Sequence, residues 1–538
     1  MHFIDDQHNT DRIEKRTMVI MKNLKIFLKR FRHGLIWSML IGVFALVLST
    51  LIAVFDPYQL LLNWKMVMVE GDEVFELWKM PQAAVYVKVY IFNVTNHEDF
   101  LAGIDEKLRF QEIGPYIYRE KMEHNNVTFN DNGTFTITPG FSLRWVPELN
   151  TATEDDMLIL PNIALLGFAN FFADTSLITR MSVNLLIHQT KSTAFLRQTV
   201  KEFLFNYDSP LVSIGHKFLP SWISFDKLGI LDRMYDITGD SFTIFTGSDD
   251  VSKSGTIDNY NGRPYLPHWP SSPCNKVSGS SDGTKFPSMS DNDTEVLFFS
   301  KTICRAIPMV RSSELIIHDG IPVHKYIFKN GSFDNGANNP ENKCFCRNNK
   351  CLKSGLMDVT DCSYGFPIAL SNPHFYKSDQ SLLNAVEGLT PDEKLHESHF
   401  LINQESGTPT QMYLRMQINI PVGEVSTMAN SERFSNLVVP LVWSEIAFET
   451  LPNHLLIRFF VYLRLGPIFF VVLKYLLLIV GVAFVTLTVI TSLFMTIDNE
   501  LEYRESSAWR HENQTLMDGV QQRDATQTDT DTRRPTRR

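Results

Sequence analysis

The chain has 538 residues, of which 44% are apolar and 12% aromatic, a composition typical of a folded protein rather than a disordered one. Its formal net charge is only -10, and no long basic stripe occurs outside the N-terminal tail. This balance gives no reason to expect nucleic acid as a partner.

The first predicted element is a membrane-spanning helix at residues 34–55, which contain no charged side chain. At about 1.5 Å per residue this segment crosses a hydrocarbon core of roughly 30 Å. A cleaved signal peptide is disfavoured by the long leader, 1–33, and by the lack of a small-residue cleavage site after Phe55, so we expect an uncleaved anchor. Basic residues crowd the leader side and Asp56 follows on the other, which places residues 1–33 in the cytosol: Lys22, Lys25, Lys29, Arg30 and Arg32.

The segment 56–466 is then predicted to be one exoplasmic domain. Residues 83–96 alternate apolar and polar types and are rich in β-branched and aromatic residues, which is typical of a strand. Similar short runs recur as far as residues 434–445, separated by turn residues. Many short strands spread over this length predict a large antiparallel sheet or barrel rather than βαβ units.

One region, 153–207, breaks the strand pattern, because its apolar residues recur at helical spacing and Thr153 before acidic residues resembles a helix N-cap. We expect a cluster of helices. Its uncharged stretch, 157–173, contains Pro161 and two asparagines and is short for a third span. Two interpretations of its phenylalanines stay open, core packing or an apolar portal for ligands: Phe168, Phe171 and Phe172.

The six cysteines all lie within the predicted exoplasmic domain, where an oxidising environment favours disulfides. A zinc site built from Cys344, Cys346, Cys351 and His374 is the alternative, but the C-x-C-x4-C spacing matches no common structural zinc pattern. Cys344 and Cys346 face the same side of an extended strand and are poor partners for each other. Six cysteines allow 15 pairings, so this reasoning does not choose among them.

Glycosylation sequons support the same topology. Five N-x-Ser/Thr sequons lie in the exoplasmic segment: Asn93, Asn126, Asn132, Asn292 and Asn330. Asn513 heads another, but it lies in the predicted cytosolic tail and should stay unmodified.

The second span is predicted at residues 467–495, with a cytosolic tail at 496–538. The charges around its uncharged run, 475–495, oppose the positive-inside rule, because Arg458, Arg464 and Lys474 precede that run whereas acidic residues follow it. The first span usually fixes orientation, and an even number of spans returns the C-terminus to the cytosol. Lys474 can extend its ammonium outward along its stem.

No catalytic constellation is present, so we expect no enzyme, no cofactor and no metal. The sequence HESH at 396–399 imitates a zinc-protease motif, but its histidines are three apart where four are required, and we interpret it as a solvated loop. The nucleophile elbow, the phosphate-binding P-loop and the dinucleotide fingerprint are all missing.

Four motifs, together with the order and spacing of the cysteines, resemble the class B scavenger receptor family over nearly the whole length: NPENKCFC (339–346), FFSKTICRAI (298–307), GPYIYRE (114–120) and VVPLVW (438–443). The resemblance implies an α+β fold, an antiparallel β-barrel with an internal hydrophobic tunnel and an apical helical bundle at 153–207, anchored by two transmembrane helices. It also implies a disulfide-clamped region at 274–362, paired Cys274 with Cys344, Cys304 with Cys362, and Cys346 with Cys351.

The resemblance also indicates ligand contacts. In LIHQTKSTAF (186–195), Gln189 stands where fatty-acid-binding members have a lysine, and Lys191 matches a second lysine of the family. A neutral amide cannot form the charge-assisted pair with a carboxylate, which favours a neutral lipid such as a sterol, carotenoid or hydrophobic odorant. Phe171 and Phe172 are the candidate apolar contacts on the bundle.

The predicted function is therefore a glycosylated two-pass receptor that binds lipid or lipoprotein and passes lipid through its tunnel to the membrane. Its expected partners are lipids, lipoproteins or lipid-carrier proteins. The alternative is a protein-recognition receptor without lipid transfer, for apoptotic-cell or microbial surfaces or for a lysosomal cargo. We expect it at the plasma membrane, with the endolysosomal membrane as the alternative because ENQTLM (512–517) resembles a weak acidic dileucine sorting signal.

Overall fold

The chain folds into two units, one formed by the two ends up to Leu60 and from Gly466, and the other by Leu61–Leu465. A computed structural model of the chain describes residues 33–219, 223, 225, 227–237, 239–288, 295–334, 336–363 and 365–528. The predictions for Asn292 and for the leader before residue 33 lie outside these residues.

The helices, in chain order, are α1 (His33–Phe55), α2 (Pro57–Met66), α3 (Glu73–Lys79), α4 (His97–Ala102), α5 (Ile163–Phe172), α6 (Leu177–Gln189), α7 (Val200–Phe205), α8 (Pro210–Phe218), α9 (Ile230–Met234), α10 (Gln380–Asn384), α11 (Glu393–His396), α12 (Asn453–Phe460) and α13 (Gly466–Thr528). A π-helical turn, Val461–Leu465, joins α12 to α13.

The strands are β1 (Val85–Val94), β2 (Leu108–Phe129), β3 (Thr134–Trp145), β4 (Met157–Pro161), β5 (Phe195–Thr199), β6 (Tyr207–Asp208), β7 (Lys227–Leu228), β8 (Phe242–Phe245), β9 (Ile257–Tyr260), β10 (Ser280–Ser281), β11 (Glu295–Ser300), β12 (Arg305–Arg311), β13 (Ile316–His318), β14 (Ile321–Phe328), β15 (Met357–Asp358), β16 (Ala369–Ser371), β17 (Val386–Glu387), β18 (His399–Ile402), β19 (Pro409–Pro421) and β20 (Val438–Phe448).

In the first unit, α1 and α13 form an antiparallel pair of helices long and apolar enough to cross a membrane. The Ser38 and Thr488 hydroxyls are 2.5 Å apart near one end, and the Ser49 hydroxyl donates to the Lys474 carbonyl near the other. Close approach depends on Gly42, because a Cβ there would lie 2.9 Å from a Val485 methyl carbon. Small residues commonly permit such packing of transmembrane helices. Helix α13 begins at Gly466 and continues well beyond the predicted end of the span at residue 495.

The second unit is built on one large sheet in the order β10-β11-β12-β14-β18-β19-β20-β1-β2-β3-β8-β9, and its ladders are antiparallel except β10 with β11 and β17 with β2. Its two edges meet, since the Gly279 N–H, just before β10, donates to the carbonyl of Ile257 in β9 at 2.8 Å. The sheet is thus a nearly closed barrel. Fully buried aromatic side chains such as Phe92, Tyr116 and Tyr118 fill the core. The predicted antiparallel barrel is confirmed.

The region 153–207 contains α5, α6 and α7 as expected, but it also contains an unpredicted hairpin of β4 and β5. Thr153 does not cap a helix: its hydroxyl donates to the Asp156 carboxylate at 2.8 Å in a turn that leads into β4. The hairpin fixes the region to the barrel, since the Ile159 N–H donates to the Asn93 side chain in β1 at 2.8 Å. The Tyr116 hydroxyl reaches the Asp156 carboxylate at 3.2 Å.

The structure pairs Cys274 with Cys344, Cys304 with Cys362, and Cys346 with Cys351, which is the pairing that the family resemblance implies. The first two bridges span 70 and 58 residues. In the chain-entropy model, loops of this length each stabilise the fold by roughly 4 kcal/mol. Among the described residues, one cluster of metal-ligand type joins His268 to Cys304 and Cys362, but both sulfurs belong to the disulfide and so offer no thiolate.

The HESH segment is not the solvated loop that we predicted. His396 ends α11 and is buried, Ser398 is buried, and His399 begins β18. The His396 ring stacks on that of His374 with centroids 4.5 Å apart, and His374 in turn pairs with the Glu112 carboxylate at 2.6 Å. The segment therefore packs between strands, a tertiary environment that the short polar sequence does not reveal.

The sequon asparagines within the described residues differ in exposure. Asn126, Asn132 and Asn330 are exposed, whereas Asn93 is half-buried and accepts the hydrogen bond from Ile159. Asn132 lies in the tight turn between β2 and β3. Modification of these residues stays a prediction.

Candidate ligand-binding site

The candidate site is built on helices α5 and α6. Every residue of α5 from Ile163 to Ala169 is buried, and the N-terminus of the helix is capped by Asn162, whose side chain accepts from the Leu165 N–H at 3.1 Å. Gly167 allows α5 to approach the Phe366 ring, since a Cβ there would lie 2.8 Å from it. This helix is therefore a core element that supports α6 and the cavity below.

Helix α6 is held on one side by the loop that follows β19. Arg180 donates to the Thr427 hydroxyl at 3.1 Å, and Asn184 both donates to the Thr427 carbonyl and accepts from the Ala429 N–H at 2.9 Å. Glu424 orders this loop by accepting hydrogen bonds from Ser426, Ser435 and Asn436. The same bonds lower the pKa of Glu424 to about 2. The rotation of α6 about its axis is thus fixed.

The face of α6 turned away from the buried Val183 and Ile187 presents apolar side chains to solvent. We define the α6 stripe as Leu177, Ile178, Met181 and Leu185, which are 65%, 78%, 63% and 58% exposed. Residues three and four apart lie on one face of a helix, so the four form one continuous surface. A large exposed apolar surface on a rigid element is typical of a binding site.

The structure brings one predicted contact residue to this surface. Gln189 follows Leu185 by four residues on α6 and is exposed, so the stripe ends in a neutral amide. Lys191 is also exposed but follows the end of α6 in a left-handed conformation, with φ of 51°. Phe171, 44% exposed, and the half-buried Phe172 end α5, with ring centroids 5.0 Å apart.

A cavity of about 100 Å³ lies between the helical region and the barrel. Ile163 of α5, Ile418 of β19 and Ile368 contribute apolar walls. The remaining lining comes from Phe225, Leu228, Gly229, Ile230, Arg233, Met234, Lys301, Thr302, Cys362, Ser363 and Phe366. A mostly apolar cavity of this size accommodates a segment of a lipid rather than a whole molecule, because pockets for drug-sized ligands measure roughly 300–1,000 Å³.

The two cations on the cavity wall are engaged by acidic side chains. Arg233 pairs with Asp232 at 2.7 Å and with Asp236 at 3.5 Å. Lys301 pairs with Asp240 at 2.6 Å. A ligand carboxylate would have to compete with these three aspartates, so the cavity favours a neutral ligand.

Sequence reasoning missed the α6 stripe, because apolar residues at helical spacing ordinarily indicate a face turned toward the core. It also missed the cavity lining, since Ile368, Ile418 and the α9 residues are far apart in sequence and carry no motif. The polar residues Arg180 and Asn184 flank the stripe and bind the loop after β19, so they do not show from sequence which face of α6 packs.

Comparisons with known proteins cover most of the chain. The sequence model of the CD36 family matches residues 38–492. Scavenger receptor class B member 1 of Rattus norvegicus is 33% identical over 372 residues, which are 69% of this chain and 72% of that protein. The protein of the same name from Bos taurus is 29% identical over 417 residues, 77% of this chain and 80% of the relative. Lysosome membrane protein 2 of Rattus norvegicus is 30% identical over 382 residues, 70% of this chain and 77% of the relative.

Proposed function

The chain belongs to the CD36 family, the class B scavenger receptors, and on this basis we propose that it is a two-pass membrane receptor that binds lipid or lipoprotein on α6 and transfers lipid through its interior. The observation that carries this proposal is the α6 stripe. Its four exposed apolar side chains lie on a helix that Arg180 and Asn184, beside the stripe, hold to the loop after β19 by hydrogen bonds. A lipoprotein or lipid-carrier surface offers the apolar partner that such a rigid surface requires.

The interior supports transfer of a neutral lipid. The cavity lies below α5 and is walled mainly by apolar side chains, so each CH2 group that enters it gains roughly 0.8 kcal/mol relative to water. Its cations are paired with aspartates, and the stripe ends in Gln189 rather than in a charged residue. A sterol, a carotenoid or a hydrophobic odorant fits these properties better than a free fatty acid.

The proposed location is the plasma membrane, with the termini in the cytosol and Leu61–Leu465 outside. The antiparallel pairing of α1 and α13 supports placing both ends of the chain on one side of a bilayer. Residence in the endolysosomal membrane is the alternative, since one relative is named a lysosome membrane protein.

A substitution in the cavity tests transfer separately from binding. Ile368 is half-buried and lines the cavity, so Ile368→Trp adds an indole where the lipid would pass, whereas Ile368→Val is the matched control that leaves space. Both full-length variants are expressed in cells, and uptake of labelled sterol ester, carotenoid and fatty acid is measured beside surface binding of a lipoprotein.

We expect Ile368→Trp to lower uptake of neutral lipids by about tenfold, as for a loss of roughly 1.4 kcal/mol, with surface binding unchanged. Ile368→Val should behave as the unmodified receptor. Unchanged uptake of every lipid by a correctly folded Ile368→Trp receptor would refute transfer through this cavity. Loss of surface binding together with uptake would instead indicate that the substitution disturbs α5 and α6.

A further inference from the structure

The β13–β14 hairpin carries an exposed apolar strand. Strand β13 pairs with β14, and its other edge has no strand partner among the described residues. Leu315, Ile316 and Ile317 are 58%, 39% and 54% exposed, so apolar side chains project to both sides of the strand. An apolar edge strand in water invites aggregation unless another surface covers it.

The hairpin contacts the segment that leads into the second span. The hairpin turns at Asp319 and Gly320, both with positive φ, and the Gly320 carbonyl accepts from Arg464 at 3.5 Å. Gly320 also packs on Phe460, since a Cβ at this glycine would lie 2.8 Å from that ring. Arg464 is two residues before Gly466, where the helix of the second span begins. The turn therefore contacts a residue that directly precedes the second span in the chain.

Neighbouring side chains on α12 and the π-helical turn have the same character. Ile457, Val461 and Tyr462 are 65%, 46% and 44% exposed. Trp64, close to the end of the first span in sequence, is 67% exposed. Tyrosine and tryptophan are enriched where proteins meet the membrane interface, because one end of each ring is apolar and the other polar.

We propose that Leu315, Ile316, Ile317, Ile457, Val461 and Tyr462 form a juxtamembrane patch that inserts into the outer leaflet of the bilayer spanned by this same chain. The bound surface is a phospholipid interface, and no lipid is selected by its headgroup. Insertion is shallow, since the free edge of β13 needs hydrogen-bond partners and the exposed carboxylates of Glu314 and Asp319 stay in water.

The experiment uses the full-length protein in phosphatidylcholine vesicles whose acyl chains are brominated or unmodified. Ile317→Trp places a fluorophore in the patch. Ile104→Trp is the control, because Ile104 is also open to solvent, at 73% exposed, but lies outside the patch. Arg433 links the segment of Ile104 to the loop after β19, which holds α6. The signal of the eight native tryptophans is subtracted with the unsubstituted protein. Leu315→Trp repeats the measurement if Ile317→Trp does not fold.

We expect bromine to reduce the added fluorescence of Ile317→Trp about twofold or more, as for an interfacial indole, and to leave Ile104→Trp unchanged. Equal quenching in the two variants would overturn the proposal. Emission at position 317 that is insensitive to bromine but varies with the protein-to-lipid ratio would also overturn it, because a second copy of the chain would then cover the patch.

Discussion

The α6 stripe makes the most direct prediction: replacing its most exposed members should weaken ligand binding without unfolding the protein. Ile178 and Met181 are 78% and 63% exposed, so most of their apolar surface is available to a ligand. Complete burial of such a side chain contributes about 1.5–3 kcal/mol, and the exposed share is therefore roughly 1–2 kcal/mol each. Together this is an upper bound of roughly 2–4 kcal/mol, or about 30- to 700-fold in Kd, because ordering costs reduce the net gain.

The assay is lipoprotein binding to full-length receptor in vesicles, comparing Ile178→Ser/Met181→Ser with the unmodified protein. Leu395→Ser is the matched control, since Leu395 is 62% exposed on α11, away from the stripe. Thermal unfolding of the double variant should change little, because its side chains contribute little to the core. A folded double variant whose Kd rises less than threefold would refute the assignment of α6 as the binding surface.

Three further predictions concern stability. Glu445→Gln removes the buried ion pair with Arg415, in which Arg415 Nε and Glu445 Oε2 are 2.7 Å apart. This change should lower the free energy of unfolding in urea by about 3–5 kcal/mol. A change within about 0.5 kcal/mol would contradict the pairing. Burial, followed by the charge of a neighbouring histidine, lowers the pKa of His396 from 6.5 to about 4. As the pH falls from 6.5 to about 4, only the unfolded chain takes up this proton, so the protein should lose stability, and His396→Gln should lose less. An equal drop in melting temperature from about pH 7 to about pH 5 in the two proteins would argue against this. Gly42→Leu should separate the two spans and lower the thermal stability of the full chain in detergent. Gly34→Leu should not, because a Cβ at Gly34 meets no atom within 4 Å. Equal effects of the two substitutions would exclude packing through Gly42.

The membrane spans and the barrel were predictable because each depends on a local pattern. Residues 34–55 and 475–495 lack charge over a length that spans a bilayer, and the alternation in β1 reflects a strand with one face toward the core. These patterns persist whatever the neighbouring elements are. The family resemblance added the closure of the barrel and the disulfide pairing, which no local pattern contains.

Features that depend on tertiary contacts were not predictable. The strand β4 was expected to be helical, since its apolar residues fit either period and its partner β5 lies more than thirty residues away. The burial of His396 depends on stacking against His374 from another segment. The α6 stripe was hidden for the converse reason, because periodicity locates an apolar face but does not show whether another element covers it.

The pairing of β1 with β20 constrains how the protein is made. Val87 lies opposite Ile446, so β1 gains its second neighbouring strand only after nearly all of Leu61–Leu465 has been synthesised. Until then one edge of β1 has unpaired backbone N–H and C=O groups. Chaperones can bind there, and misassembly can begin there. A premature stop codon shortly before β20 would therefore disrupt the centre of the sheet rather than trim its margin.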